Sequence, residues 1–130
     1  MHISKVLSKI LIVDDLEDYL RSLRRALASE WMVVCAQSVA AAKEALQTEN
    51  IEAALIDVRL SESDPQNRDG VVLLKWIQAQ HPLVPVVMMS AYTDFDAAVD
   101  ALNLGAVQFL RKPIDLRIVR EVLRSLIPQR

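Results

Sequence analysis

Short apolar blocks alternate along the chain with longer segments whose apolar positions recur every three or four residues. The first block, Ile10-Leu11-Ile12-Val13, is rich in β-branched residues and stops at Asp14-Asp15, which predicts a strand buried on both faces. Leu16, Leu20, Leu23 and Leu27 then fall at helical spacing, with Arg21, Arg24 and Arg25 turned elsewhere. Met32 to Ala36 predicts a second strand. Ser38 is placed to cap the helix after it, whose small-residue face is Ala41, Ala42, Ala45 and Leu46. A third strand, Ala53 to Ile56, ends at Asp57, and a polar stretch runs from Ser61 to Asp69. Gly70 opens a helix with Val71, Leu73, Leu74, Trp76 and Ile77 as its apolar ridges, and Pro82 closes it. The fourth strand, Val84 to Met89, ends at Ser90. A helix from about Asp94 to Leu104 stops at Gly105, a left-handed cap. Val107 to Leu110 predicts a fifth strand ending at Lys112-Pro113, and the last helix carries Leu116, Val119, Val122, Leu123, Leu126 and Ile127 on one side.

Strand followed by helix, five times over, implies an α/β fold with a parallel sheet covered on both faces, because each parallel crossover needs a long connection. A closed barrel of this kind needs eight such units. The expectation is one open, doubly wound sheet.

Composition narrows the function. The chain has 130 residues, the size of one domain, and residues 1–130 read as a single unit. Hydrophobic residues make up 52% and the net charge is −2, so no broad positive field exists to draw in a phosphate backbone, and direct nucleic-acid binding is not expected. The single cysteine, Cys35, lies in an apolar run and is expected as a small buried hydrophobe in a reducing compartment. His2 and His81 are far apart and have no ligand partners beside them in sequence. The longest apolar run, Leu83 to Met89, contains Pro85 and falls far short of a membrane span. The N-terminal apolar stretch is too short for a signal peptide, so the expected location is cytoplasmic, with no membrane partner.

In an open α/β sheet, ligands bind beyond the carboxyl ends of the strands. Asp14 and Asp15, Asp57, Ser90 and Lys112 all stand there. Two carboxylates about 4 Å apart repel by roughly 4 kcal/mol at an effective dielectric near 20. Three together call for a cation, and oxygen-only ligands favour a hard ion such as Mg²⁺, which also accepts a phosphate oxygen. A lysine and a serine opposite them complete a site for phosphoryl transfer onto a carboxylate. Each residue also has a plainer reading: the Asp pair as a helix cap, Ser90 as a turn or cap residue, Lys112 as an exposed loop charge. Their joint placement at one rim favours the chemical one.

With these residues in view, the chain resembles the receiver domain of two-component response regulators over nearly its whole length. The resemblance is carried by Ile-Leu-Ile-Val-Asp14-Asp15, Leu-Ile-Asp57, Val-Met-Met-Ser90-Ala91 and Leu-Gly105-Ala-Val-Gln-Phe109-Leu-Arg-Lys112-Pro113. It implies a flavodoxin-like sheet of strand order 2-1-3-4-5. It further implies that Asp57 is the phosphoacceptor, that Asp15 and Asp57 ligate Mg²⁺ directly, that Asp14 acts through water, and that the backbone carbonyl of Arg59 is a further ligand. Lys112 would pair with the phosphoryl oxygens, and Ser90 would hydrogen-bond the attached group. Phe109 stands at the family's aromatic switch position. The donor would be a sensor histidine kinase or a histidine phosphotransfer protein. The face made by the fourth helix, fifth strand and last helix would meet a second copy or a target protein. Such a domain is a signalling module rather than a turnover enzyme, at most catalysing its own phosphorylation and dephosphorylation.

The sequence departs from the family pattern in two places. The family usually has a proline where Ser61 stands, and the stretch from Asp57 to Gly70 is longer than usual. The polar insert, Ser61 to Arg68, reads either as a tolerated surface insertion or as a lid or partner-specific element. Arg59 and Tyr92, each two residues beyond a site residue, are large side chains where the family controls water's approach, and are expected to prolong the life of the acyl phosphate. Rival functions fit less well. An aspartate-based phosphatase of the haloacid dehalogenase kind needs a second acid two residues past its nucleophile, and Leu16 stands where one would follow Asp14. A nucleotide-binding domain needs a glycine-rich loop, and the chain has 2 glycines. A degenerate receiver that binds partners without phosphorylation would not need all five rim residues. The basic stripe Arg117, Arg120 and Arg124 reads as a solvated face or an acidic-partner surface, and Arg21, Arg24 and Arg25 as a candidate face for docking the donor.

Overall fold

Apolar side chains alternate between two cores across the central strands, and this alternation organises the molecule. A computed structural model of the chain describes residues 6–61, 63–91 and 95–128. Their elements are β1 (Lys9–Val13), α1 (Glu17–Leu27), β2 (Met32–Ala36), α2 (Val39–Thr48), β3 (Ile51–Asp57), α3 (Asp69–Gln80), β4 (Val86–Ser90), α4 (Phe95–Asn103), β5 (Gln108–Arg111) and α5 (Leu116–Leu126). The sheet is five-stranded in the order β2-β1-β3-β4-β5, with every pair parallel, as the sequence leads one to expect.

Leu11, Val13, Ala54, Ile56, Val86 and Met88 face one core, which α2, α3 and α4 cover with residues such as Ala42, Leu46, Leu74, Ile77, Ala97 and Ala101. Ile10, Ile12, Ala53, Leu55, Val87 and Met89 face the other, covered by Leu20, Leu23 and Leu27 of α1 and by Val119 and Leu123 of α5. The period-two alternation of a strand thus gives each sheet face its own set of aliphatic side chains. Trp31, in the turn before β2, joins the second core, and the helical spacing of the neighbouring leucines gave no sign of it.

Several boundaries differ from those expected. β3 is longer, Ile51–Asp57, because Ile51 pairs with Lys9 across a register shift at Glu52. β4 begins at Val86 rather than Val84, since Val84 donates to the His81 carbonyl in a turn and Pro85 has no N–H to give to a ladder. Leu16 is not part of the helical stripe. It is the exposed N-cap residue of α1, and the buried stripe is Leu20, Leu23 and Leu27. Ser38 does cap α2, accepting from the Ala41 N–H at 3.1 Å. Cys35 is half-buried rather than buried, because β2 is an edge strand with a helix-covered neighbour on one side only. Burial pushes its thiol pKa up, partly opposed by the nearby Arg24.

The basic stripe of α5 stays at the surface as a solvated face would, but two of its arginines also find partners within the chain. Arg124 binds the Glu30 carboxylate through Nε at 2.8 Å and through a second nitrogen, and Arg120 donates to the Ala26 carbonyl at 3.1 Å. Two of its three arginines therefore tie α5 to the end of α1. Arg117 remains exposed beside Asp115, whose side chain caps α5.

Candidate functional site

The parallel arrangement brings the carboxyl ends of β1, β3, β4 and β5 to one edge. Asp14 continues β1 by one residue: its N–H donates to the Ala36 carbonyl at 3.1 Å, and its Oδ1 accepts from the Leu16 N–H at 2.9 Å. This bond shapes the turn into α1 rather than capping the helix, whose N-cap residue is Leu16 with no side-chain cap bond, and it uses one carboxylate oxygen. The other oxygen points inward. Asp57 is the last residue of β3 and follows Leu55 by two, so strand alternation turns its side chain toward the α1 and α5 face.

Lys112 joins the two acids. Its N–H donates to the Ser90 carbonyl at 2.8 Å, which carries the β4–β5 pairing one residue past the strands. Its Nζ donates to Asp14 Oδ2 at 2.5 Å and to Asp57 Oδ2 at 2.9 Å. Asp14 and Asp57 are 0% and 2% exposed, and the Lys112 side chain only 9%. Desolvation by burial pulls the lysine's pKa down, but the hydrogen bonds from Asp14 and Asp57 outweigh it, and the net shift is upward. Lysine 112 is therefore an ammonium, not an exposed loop charge.

Asp15 lies beside this pair, half-buried, and one carboxylate oxygen from each of Asp14, Asp15 and Asp57 falls within 4.8 Å of the others. Weighed against Lys112 alone, three carboxylates leave this pocket negative. All-oxygen donors in a partly buried cluster fit a hard divalent ion such as Mg²⁺.

Ser90 is buried at the end of β4, two residues past Met88, and so shares the face covered by α3 and α4. Phe109, paired with Met88 in register, is half-buried against the same core. Arg59 is half-buried just beyond β3. Tyr92 lies outside the described residues.

The long β3–α3 connection is organised by Asn67, whose Oδ1 accepts from the Leu60 N–H at 2.9 Å and the Asp69 N–H at 3.0 Å. Ser63 to Gln66 stay exposed, and Arg68 reaches Asp100 of α4 at 3.4 Å. Gly70 donates its N–H to the Val58 carbonyl at 2.9 Å, and a β-carbon there would stand 1.9 Å from the Asp57 carbonyl oxygen. Only glycine lets α3 come this close to the strand that carries Asp57.

One site neighbour escaped the sequence reading. Tyr19, in the first turn of α1, sets its ring under Lys112, with Nζ 4.3 Å from the ring centroid. The only signal was an aromatic residue one helical turn after Asp15, which reads equally well as packing.

Comparison with known proteins agrees with this fold. The model of the response regulator receiver domain matches residues 10–124. The response regulator protein PilR of Pseudomonas aeruginosa is 37% identical over 118 residues, which cover 90% of this chain and 25% of PilR. The chain therefore spans about a quarter of that relative's length. A CheY-like response regulator receiver domain protein from Methanospirillum hungatei superposes with a TM-score of 0.83 at 27% identity, covering 92% of this chain and 93% of its own. A response regulator from Burkholderia pseudomallei, solved with a phosphorylated aspartic acid, calcium ion and citrate, superposes at 0.77 with 25% identity, over 92% of this chain and 66% of that one.

Proposed function

Because the chain belongs to the response regulator receiver domain family, we propose that it takes a phosphoryl group onto Asp57 from a sensor histidine kinase or a histidine phosphotransfer protein. The observation that carries this reading is the Lys112 ammonium shared between Asp14 and Asp57 in a nearly dry pocket at the strand ends.

An Asp57 carboxylate oxygen attacks phosphorus, a new O–P bond forms, and the P–N bond to the donor's imidazole breaks with its electron pair left on nitrogen. Lys112 then pairs with a phosphoryl oxygen instead of the carboxylate it held, and the Ser90 hydroxyl donates to another. Asp15 and Asp57 would hold Mg²⁺ directly, with Asp14 through water and the Arg59 carbonyl as a further ligand. The bound ion would neutralise charge on the acids and on the phosphoryl oxygens. The Burkholderia pseudomallei relative, solved with a phosphorylated aspartic acid, supports an aspartate as the phosphoacceptor. Arg59 and Tyr92 would slow water's approach to the acyl phosphate.

Phosphorylation adds about −1.5 to −2 charge and new acceptor oxygens at one end of the sheet. Ser90 moving toward that charge vacates space on the face it shares with Phe109, and the α4–β5–α5 surface changes shape. Val99, Leu102, Val107 and Ile118 are exposed apolar residues on or beside those elements, which suits a second copy or a target protein. To test the reaction, the protein is incubated with Mg²⁺ and acetyl phosphate and its intact mass recorded. Wild type should gain one PO3 unit and Asp57→Asn none; no adduct on wild type, or an equal one on the variant, overturns the assignment.

A further inference from the structure

Lys112 is held by two carboxylates and one aromatic ring, and the three holds respond differently to the reaction. An ammonium has three N–H donors. Two of them go to Asp14 Oδ2 and Asp57 Oδ2, and the Nζ lies 4.3 Å from the centroid of Tyr19. Tyr19 belongs to α1, is half-buried and packs against the core under that helix, so its ring is fixed by the fold rather than by the lysine.

We propose that Tyr19 is a positioning residue for phosphoryl transfer, its ring face holding the Lys112 ammonium in place while the lysine's carboxylate partners are given up to a cation and to the incoming phosphoryl group. This inference rests on the phosphoacceptor reading of Asp57. A divalent ion among Asp14, Asp15 and Asp57 would compete with Lys112 for the same carboxylate groups, and its charge would repel the ammonium. Transfer to Asp57 would then convert its carboxylate to an acyl phosphate, a weaker partner for the lysine. The negative face of the ring is shared with neither event. It attracts the cation with no formal charge of its own, so Lys112 can pivot from carboxylate to phosphoryl oxygen without leaving the pocket. The Tyr19 hydroxyl is buried, and desolvation raises its pKa, opposed by the neighbouring Lys112 charge. The residue thus serves as a neutral platform.

The experiment compares wild type, Tyr19→Phe, Tyr19→Leu and a variant carrying trifluorinated phenylalanine at position 19, which keeps the ring's shape and removes the negative potential of its face. Mg²⁺-dependent phosphorylation by acetyl phosphate is timed by intact mass. In parallel, the Lys112 ε-methylene shift is read by NMR in metal-free protein, where a ring beneath it moves the signal upfield. Tyr19→Phe should stay within about twofold of wild type, and the leucine and trifluorinated variants should transfer about fivefold more slowly. The upfield shift should persist in Tyr19→Phe and vanish in Tyr19→Leu. If Tyr19→Leu fails to fold, the phenylalanine and trifluorinated pair decides, because the two share one shape. Equal rates in that pair, or an ordinary ε-methylene shift in wild type, overturn the proposal. If wild type itself gains no phosphoryl mass, the phosphoacceptor reading falls, and the NMR comparison alone decides the role of Tyr19.

Discussion

Removing Lys112 leaves Asp14 and Asp57 buried against each other. Breaking a buried pair in this way costs about 3 kcal/mol, so Lys112→Met should lower the urea midpoint sharply. Millimolar Mg²⁺ should restore more stability to the variant than it adds to wild type, since the ion supplies the missing positive charge; equal gains would show that the acids do not share a cation site. The upward pKa shift of Lys112 sets a second expectation. A group bound more tightly to its proton when folded contributes stability that is whole below its ordinary value, about 10.4, and lost as pH rises through the folded value. Tyr19, also shifted upward, acts in the same direction. Denaturation midpoints should hold steady in this respect to about pH 10 and fall beyond it, and the fall should be shallower in Lys112→Met. Asp14, Asp15, Asp57, Ser90 and Lys112 were legible in the sequence because each ends or follows an apolar block, and parallel strands deliver such residues to one edge. Tyr19 was not, since an aromatic on the inner face of a helix looks the same whether it packs or carries a cation.

The helices were foreseen from their apolar periods, or for α4 from the Gly105 stop, whereas ends were set by backbone bonds that the period does not contain. Pro85 and the His81 turn delay β4, and Asp69 rather than Gly70 begins α3. Glu30 could not be matched to Arg124 across 94 positions of sequence, so the clamp between α5 and the end of α1 was invisible. Gly70 was read as a helix opener, and its greater role is the tight approach of α3 to β3. Gly70→Ala forces backbone apart beside Asp57 and should cost about 3 kcal/mol in denaturation, with slower phosphorylation of whatever fraction remains folded. A stability within experimental error of wild type would mean that α3 can retreat freely.

Across the whole molecule, the alternation of apolar blocks and amphipathic segments was enough to specify the order of the sheet once the family resemblance was added, and the structure has that order. No helix among the described residues is long and apolar enough to cross a membrane. The exposed Val99, Leu102 and Val107 give the α4–β5 side its apolar character. If that side joins two copies on phosphorylation, sizing chromatography after acetyl phosphate treatment should show a dimer with wild type and a monomer with Leu102→Glu. A monomer in both cases leaves that face to a different protein. Asp57 and Lys112 occupy the α1 and α5 side of the sheet, while Ser90 and Phe109 sit on the α3 and α4 side. The strand layer thus lies between the buried acids and Phe109, and Ser90, at the end of β4, is the link through which the proposed chemistry would reach the other side. Substitutions around Phe109 and α4 can then alter the response while leaving the acids alone, whereas α5 borders both and is less free to drift.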